Sequence, residues 1–210
     1  MPEIRIQLIA PDDAATLDAA YALYAAEIEQ TEQRPEQEFR ALILRRGYRF
    51  LAAHLDEALI GIAVSWVPDD GDFWLFEYAA VAPHLRGNNI GANLFLASRH
   101  LAGQGRTGLV EVDAYTGEEI QARRLAFYRR LGCRRIAGLD YILPLDAFGA
   151  PPPMWLLALP PEESAATVSV HTVETWLREI YAVAYAKSLD DPRLAGMIDP
   201  LPDDIELVGI

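Results

Sequence analysis

The chain has a single cysteine, Cys133, so no internal disulfide can form and a cysteine-based zinc site is excluded. Its four histidines, His54, His84, His100 and His171, are scattered rather than set at ligand spacing, and no metal is expected. Long apolar runs are also missing, and none approaches the length of a membrane span. The opening stretch MPEIRIQLIAPDD lacks a basic flank followed by an apolar segment, which predicts no signal peptide and a cytoplasmic location. Positive charge is scarce too. Eighteen Lys and Arg face thirty-one Asp and Glu, and the net charge of −13 opposes any general affinity for nucleic acid or an anionic membrane. There is no internal repeat and no low-complexity tract.

What is present is ordinary globular composition: 210 residues, 51% hydrophobic and 23% charged, enough for one large domain or a domain with an appendage. EIRIQLI alternates apolar and polar residues and reads as a first strand. A helix follows, capped by Asp12 or Asp13, with Leu17, Tyr21, Tyr24 and Ile28 at helical spacing. A second, short helix is expected from Pro35 to about Arg46. Three strands come next, YRFLAAHL, ALIGIAVSWV and DFWLFEYAAV, the last apolar on both faces and therefore placed inside a sheet.

Beyond these, Ile90, Leu94, Ala97 and Leu101 mark a helix, GLVEVDA a strand, and GEEIQARRLAFYRRLG a helix closed by Gly132. CRRIAGLDYIL reads as a further strand, and MWLLAL, set among prolines, as a last strand at the sheet edge. The order mixes hairpin strands with β-α-β crossovers, an α/β class. Residues 161–210 read as a C-terminal helical extension. Its stripe of Val173, Trp176, Ile180, Val183 and Ala184 is expected to dock on the core or on a second subunit, which would make a homodimer.

The stretch VAPHLRGNNIGANLF, residues 81–95, combines a strand end, a glycine-containing loop and a helix start. Unpaired amides at a helix N-terminus, aided by the macrodipole, favour an anion there, and glycine lets the backbone approach a phosphate. A lone Gly-x-x-x-Gly is a weak signal by itself.

With its surroundings it resembles the GNAT superfamily of N-acetyltransferases, whose coenzyme motif runs V-x-P-x-x-[RQ]-G-x-G-[IV]-G. Val81, Pro83, Arg86, Gly87, Ile90 and Gly91 fit; Asn89 replaces a glycine. About forty residues on, that family has a helix ending [LF]-Y-x-x-x-G-[FY], matched here by Phe127, Tyr128 and Gly132, with Cys133 in place of the aromatic. The resemblance covers residues 1–160. It implies the GNAT fold, a mixed central sheet of about seven strands flanked by helices, and acetyl-coenzyme A as co-substrate with an amine as acceptor.

Residue by residue, it implies that the backbone of Arg86, Gly87, Asn88, Asn89, Ile90, Gly91 and Ala92 cradles the pyrophosphate. Ala79, Ala80 and Val81 would pair their main chain with the pantetheine arm where two parallel strands splay apart. Gln121 stands where the family often has a coenzyme-holding asparagine. Tyr128 would lie beside the coenzyme sulfur as general acid.

Asparagine is second only to glycine in tolerating a left-handed backbone, so Asn89 is compatible with the loop. Glu77 and Glu111 stand out because each interrupts an apolar strand, and for either the alternative is a structural ion pair with an arginine. The resemblance implies Glu111 first as the base, since some protein-modifying GNAT enzymes have a glutamate at the matching strand position, with Glu77 close behind, since other members carry one along its strand. Six arginines, Arg123, Arg124, Arg129, Arg130, Arg134 and Arg135, read as a solvated helix face rather than a phosphate site. Cys133 reads as core. The connection EIEQTEQRPEQEF, with Glu27, Glu29, Glu32, Glu36 and Glu38, suggests an acidic entrance for a cationic amine. A rival from another class is a coenzyme-binding sensor that kept the fold and lost turnover.

Overall fold

The alternation at the start of the chain does produce a strand, β1 (Ile4–Leu8). Asp13 then caps α1 (Ala14–Glu27), its Oδ1 accepting from the Thr16 amide at 3.0 Å. The computed structural model describes residues 4–145 and 147–210, so Glu3, expected in the first strand, lies outside the described residues. The chain forms two compact units, the first ending at Arg106 and the second beginning at Thr107.

In the first unit, α2 (Glu36–Leu42) is capped at Pro35 and is shorter than expected; at Ile43 the chain leaves the helix for a turn. Four strands, β1, β2 (Tyr48–Leu55), β3 (Ala58–Trp66) and β4 (Phe73–Val81), pair in sequence order, each antiparallel to the next. The β4 side chains are buried almost throughout, as its two apolar faces predict. Val64 pairs with Tyr78 and Ser65 with Phe76, so Glu77 is the extra residue of a β-bulge. α3 (Ile90–Ala102) lies against β3 and β4. It buries Ile90, Leu94, Phe95, Ser98 and Ala102, whereas Leu101, expected on the inner stripe, is exposed. A Cβ on Gly61 of β3 would come within 3.1 Å of both Ile90 and Leu94, so this glycine permits the close approach of helix and sheet.

The second unit contains β5 (Thr107–Asp113), α4 (Glu119–Arg130), β6 (Arg134–Ile136) and β7 (Met154–Leu159). β8 (Thr167–Ser169), α5 (Val170–Glu179), a π turn (Ile180–Ala184), α6 (Pro192–Ile198) and β9 (Asp204–Val208) follow. Its strand order is β5-β7-β6-β9-β8, all antiparallel.

Three expectations change. MWLLAL is neither an edge strand nor the last one: β7 lies between β5 and β6, and its flanking prolines stand outside the paired residues. The strand expected from Cys133 shortens to β6, because the chain turns through Gly138 at φ 75° and only Tyr141 returns to a bridge, with Met154. The C-terminal segment is not purely helical. It adds β8 and β9, and β9 extends the sheet by pairing with β6, so nine strands are present among the described residues.

The stripe of Val173, Trp176 and Ile180 is buried within the chain itself. Ala184 of that stripe is buried as well, but Val183, also expected there, is 43% exposed, because the π turn shifts the phase and buries Tyr185 beside Tyr181. No helix among the described residues is long and apolar enough to cross a membrane.

Candidate active site

In the first unit the chain leaves β4 through a short 3₁₀ turn, Pro83–Leu85, and enters α3 through Arg86–Asn89. Two left-handed residues make that entry. Gly87 has φ 86°, and Asn89, the N-cap, has φ 60° and ψ 10°. A Cβ on Gly87 would meet nothing within 4 Å, so backbone conformation rather than space calls for glycine there. Asparagine supplies the same conformation at the next left-handed position. Asn88 steadies the turn, its Nδ2 donating to the Leu85 carbonyl at 3.0 Å.

The first bond inside α3 runs from the Asn93 amide to the Asn89 carbonyl at 2.9 Å. The amides of Ile90, Gly91 and Ala92 therefore precede the helical ladder, at the positive end of a 13-residue helix. Residues 86–89 are exposed. An exposed turn with free-standing amides and no side chain over Gly87 fits an anionic group such as a pyrophosphate.

Arg86, the cationic member of this loop, forms an ion pair with Glu27 at the end of α1. Ala79, Ala80 and Val81 close β4, and there they pair with Ala63, Ile62 and Gly61 of β3.

Glu77 lies on the bulge of β4. Its Oε1 accepts from Arg34 Nε at 2.8 Å and lies 2.6 Å from Arg34 Nη2, and both side chains are nearly solvent-free. Arg34, on the segment between α1 and α2, is fixed in turn by its amide donating to the Tyr24 hydroxyl at 2.7 Å. Burial pushes the Tyr24 phenol up to about 12, and burial together with the Glu77 charge pushes the Tyr48 phenol up as well. Of the acidic connection, Glu27 pairs with Arg86 and Glu36 with Arg40, while Glu29 and Glu38 are exposed.

In the second unit Tyr128 occupies the last turn of α4. Gly132, at φ 90°, closes a Schellman cap: its amide donates to the Arg129 carbonyl and the Cys133 amide to the Tyr128 carbonyl. The Tyr128 ring is buried. Burial pushes its phenol up, the neighbouring Cys133 adds to this, and Arg124 opposes it, so the hydroxyl stays protonated through the physiological range. Cys133 is buried, as expected.

Gln121 is also buried, and its Oε1 accepts from the Thr116 amide at 2.8 Å, the Thr116 hydroxyl at 3.0 Å and the Glu118 amide at 3.4 Å. It holds the loop ahead of α4 as the N3 member of a capping box.

Glu111, near the end of β5, is bound by phenols. Tyr141 donates to its Oε1, and Tyr185 donates to its Oε2 at 2.6 Å. Tyr181 is near enough for the carboxylate to influence its ionisation. The sequence had pointed to both glutamates, but not to Arg34 or to these tyrosines. No local signal marks the tyrosines: Tyr181 and Tyr185 stand in IYAVAY outside the expected stripe of Val173, Trp176, Ile180, Val183 and Ala184.

The arginines divide among separate tasks. Arg124 pairs with Asp113, Arg134 donates to the Ala165 and Glu163 carbonyls, and Arg135 stacks over Trp155 at 4.4 Å. Arg129 and Arg135 line a cavity of about 420 Å³ beside α4, with Leu125 and Trp155. Among the described residues no group of three or more His, Cys, Asp or Glu is placed to hold a metal.

The profile of the Acetyltransferase (GNAT) family matches residues 17–133, more than half of the chain. No curated protein matches. Among solved structures, a GNAT-family protein from Bacteroides thetaiotaomicron superposes with a TM-score of 0.71 at 22% identity, over 88% of this chain and 99% of its own. The ribosomal-protein-S18-alanine N-acetyltransferase of Escherichia coli gives 0.59 at 18% identity, over 78% of this chain and 97% of its own. An IAA acetyltransferase from Bacillus cereus gives 0.54 at 18%, over 75% and 99%. At these identities the likeness speaks for the fold alone.

Proposed function

Because the chain belongs to the GNAT family of acetyltransferases, we propose that it transfers the acetyl group of acetyl-coenzyme A to a primary amine, with Tyr128 as acid and Glu111 as base. One observation carries the coenzyme assignment. The loop keeps its shape without the usual second glycine, since Asn89 takes the left-handed conformation and the amides of residues 90–92 stay outside the helical ladder. The pyrophosphate of the coenzyme binds there, and Arg86 adds its charge.

The chemistry needs two proton transfers. An ammonium must lose a proton before its nitrogen can attack the thioester carbonyl, and the departing thiolate must gain one. Glu111 takes the first proton, directly or through water, and Tyr128 gives the second; the products are an N-acetyl amide and free coenzyme A. The raised pKa of the Tyr128 phenol supports its role as a donor.

The choice of Glu111 over Glu77 rests on their partners. Glu77 is sealed against a guanidinium in the interior, whereas Glu111 is only half-buried and its partners are neutral phenols. The exposed Glu29 and Glu38 support a cationic acceptor.

A screen for free-thiol release from acetyl-coenzyme A over polyamines, aminoglycosides, arylamines and amino-terminal peptides tests the reading. Turnover with an amine is expected. Coenzyme binding without release on any member of the panel would favour the sensor instead.

A further inference from the structure

We propose that the C-terminal segment is part of the catalytic centre, because its Tyr185, together with Tyr141, positions the Glu111 carboxylate and holds it ionised. The inference rests on the reading of Glu111 as the base and adds the residues that make it one.

Three contacts tie the segment to this carboxylate and to the turn beside it. Tyr185 donates to Glu111 Oε2 at 2.6 Å, and Tyr141 donates to Oε1. Tyr181 donates to the Ile142 carbonyl at 2.6 Å, while the Ile142 amide donates to Met197 Sδ of α6 at 3.3 Å. Residue 142 is therefore clasped from both sides by the C-terminal segment, which fixes Tyr141 immediately before it. All three tyrosines are buried, at 2% (Tyr141), 0% (Tyr181) and 6% exposure (Tyr185).

Their placement depends on an irregularity. The Tyr185 amide bonds the Ile180 carbonyl at 3.1 Å, an i→i+5 contact that closes the π turn. That turn changes the helix phase, so that Tyr181 and Tyr185 are buried while Val183 faces outward. An ordinary helix would be the cheaper way to bury this segment, and π turns in helices concentrate at functional sites.

The arrangement has a definite chemical consequence. An ionised carboxylate offers about four acceptor positions, and the two phenols use one on each oxygen. Hydrogen bonds to the charged form favour it, so the two phenols stabilise the ionised carboxylate that is to take up the proton. The titratable groups facing Glu111 include the phenols of Tyr141, Tyr181 and Tyr185. The Asp191–Arg193 pair of α6 stands one step further off, beside Tyr181. Leu156, opposite on β7, carries no charge.

The test is a direct titration of Glu111 in the full chain, labelled with ¹³C at glutamate Cδ and followed by NMR from pH 3 to 8. The Glu111 signal is assigned by its loss in Glu111→Gln. Losing one hydrogen bond to the charged carboxylate, Tyr185→Phe is expected to raise the Glu111 midpoint by about one to two pH units. Tyr141→Phe should do the same, and it serves if Tyr185→Phe fails to fold. A merely structural role would lower Tm and leave the midpoint in place, and that result overturns the proposal.

The acid limb of kcat/KM for the best amine of the panel should move up with the midpoint, costing about tenfold or more below the limb. If the midpoint moves but the limb stays put in both Tyr185→Phe and Glu111→Gln, Glu111 is not the base and the catalytic part of the proposal falls with it. Absence of turnover on every amine would count against the acetyltransferase reading, while the titration would still report on the tyrosines.

Discussion

Arg34 and Glu77 offer the sharpest test of the physical reasoning, because almost no water reaches either side chain. Their side-chain exposures are 4% and 0%, and both Nε and Nη2 of Arg34 approach Oε1 of Glu77. Arg34→Met keeps most of the side-chain volume but leaves a carboxylate in the interior without its cation. Removing one partner of a buried pair typically costs about 3–5 kcal/mol, because the remaining charge stays desolvated. In a domain of this size each kcal/mol lowers Tm by roughly 2–4 °C, so a fall of about 6–20 °C is expected.

Urea unfolding measures the loss, with an unchanged m-value confirming that stability rather than compactness has moved. The double variant Arg34→Met with Glu77→Met should recover much of it, since a well-packed apolar pair can replace a buried ion pair at little cost. Glu174→Gln is the internal control. Its pair with Arg178 has the same 2.8 Å separation but exposures of 33% and 43%, and about 0.3–0.5 kcal/mol is expected. An Arg34→Met protein within about 1 kcal/mol of wild type would refute the argument, because it would mean that water or another cation reaches Glu77.

Gly91→Glu should abolish coenzyme A binding in calorimetry while the protein stays folded, because it sets a negative charge among the amides that start α3. Asn89→Val should cost about 1–2 kcal/mol of stability, since a β-branched residue resists φ 60°, whereas Asn89→Gly should be close to neutral; urea melts of the two separate them. Tyr128→Phe should lower kcat with little change in coenzyme affinity. Because burial raises its phenol, the wild-type kcat profile should show no Tyr128 deprotonation up to about pH 10. Asp191 accepts from both the backbone and side chain of Arg193, which lowers its carboxyl from 3.8 to about 2. A folded-state pKa below the unfolded one stabilises above about pH 4 and loses that contribution as pH falls towards 2. Asp191→Ala should therefore cost about 1 kcal/mol at pH 7 and progressively less in acid, read from melts across that range.

Where the sequence keeps a period, its reading matches the structure. β1 alternates, Asp13 caps α1, β4 is apolar on both faces and buried, and Gly132 ends α4 with a left-handed residue. The loop at residues 86–92 was legible for a related reason, since glycine and asparagine announce a backbone conformation that few other residues adopt. Pairing partners were less accessible. That β7 lies between β5 and β6, or that Gln121 is consumed by the loop ahead of its own helix, depends on chain segments meeting that no local pattern links.

Two pairings that the sequence does not announce, Glu77 with Arg34 and Glu111 with Tyr185, have the same physical cause. Glu77 stands on a β-bulge, where β4 carries one residue more than its partner strand. Tyr185 follows a π turn, where the helix carries one residue more than its regular period. Either insertion turns subsequent side chains out of the regular phase, which is why Val183 faces outward where the helical period alone would set it inward. Both insertions are costly to a regular element, one forfeiting ladder pairing and the other the tighter helical turn. Both also direct polar groups onto one another, Glu77 onto Arg34 and Tyr185 onto Glu111. A break in period thus brings polar partners together where the regular period would not, once as a buried ion pair and once at the carboxylate proposed as the base. The IYAVAY segment is tied in this way to Glu111 through Tyr185, besides being packed through Tyr181 and Ala184.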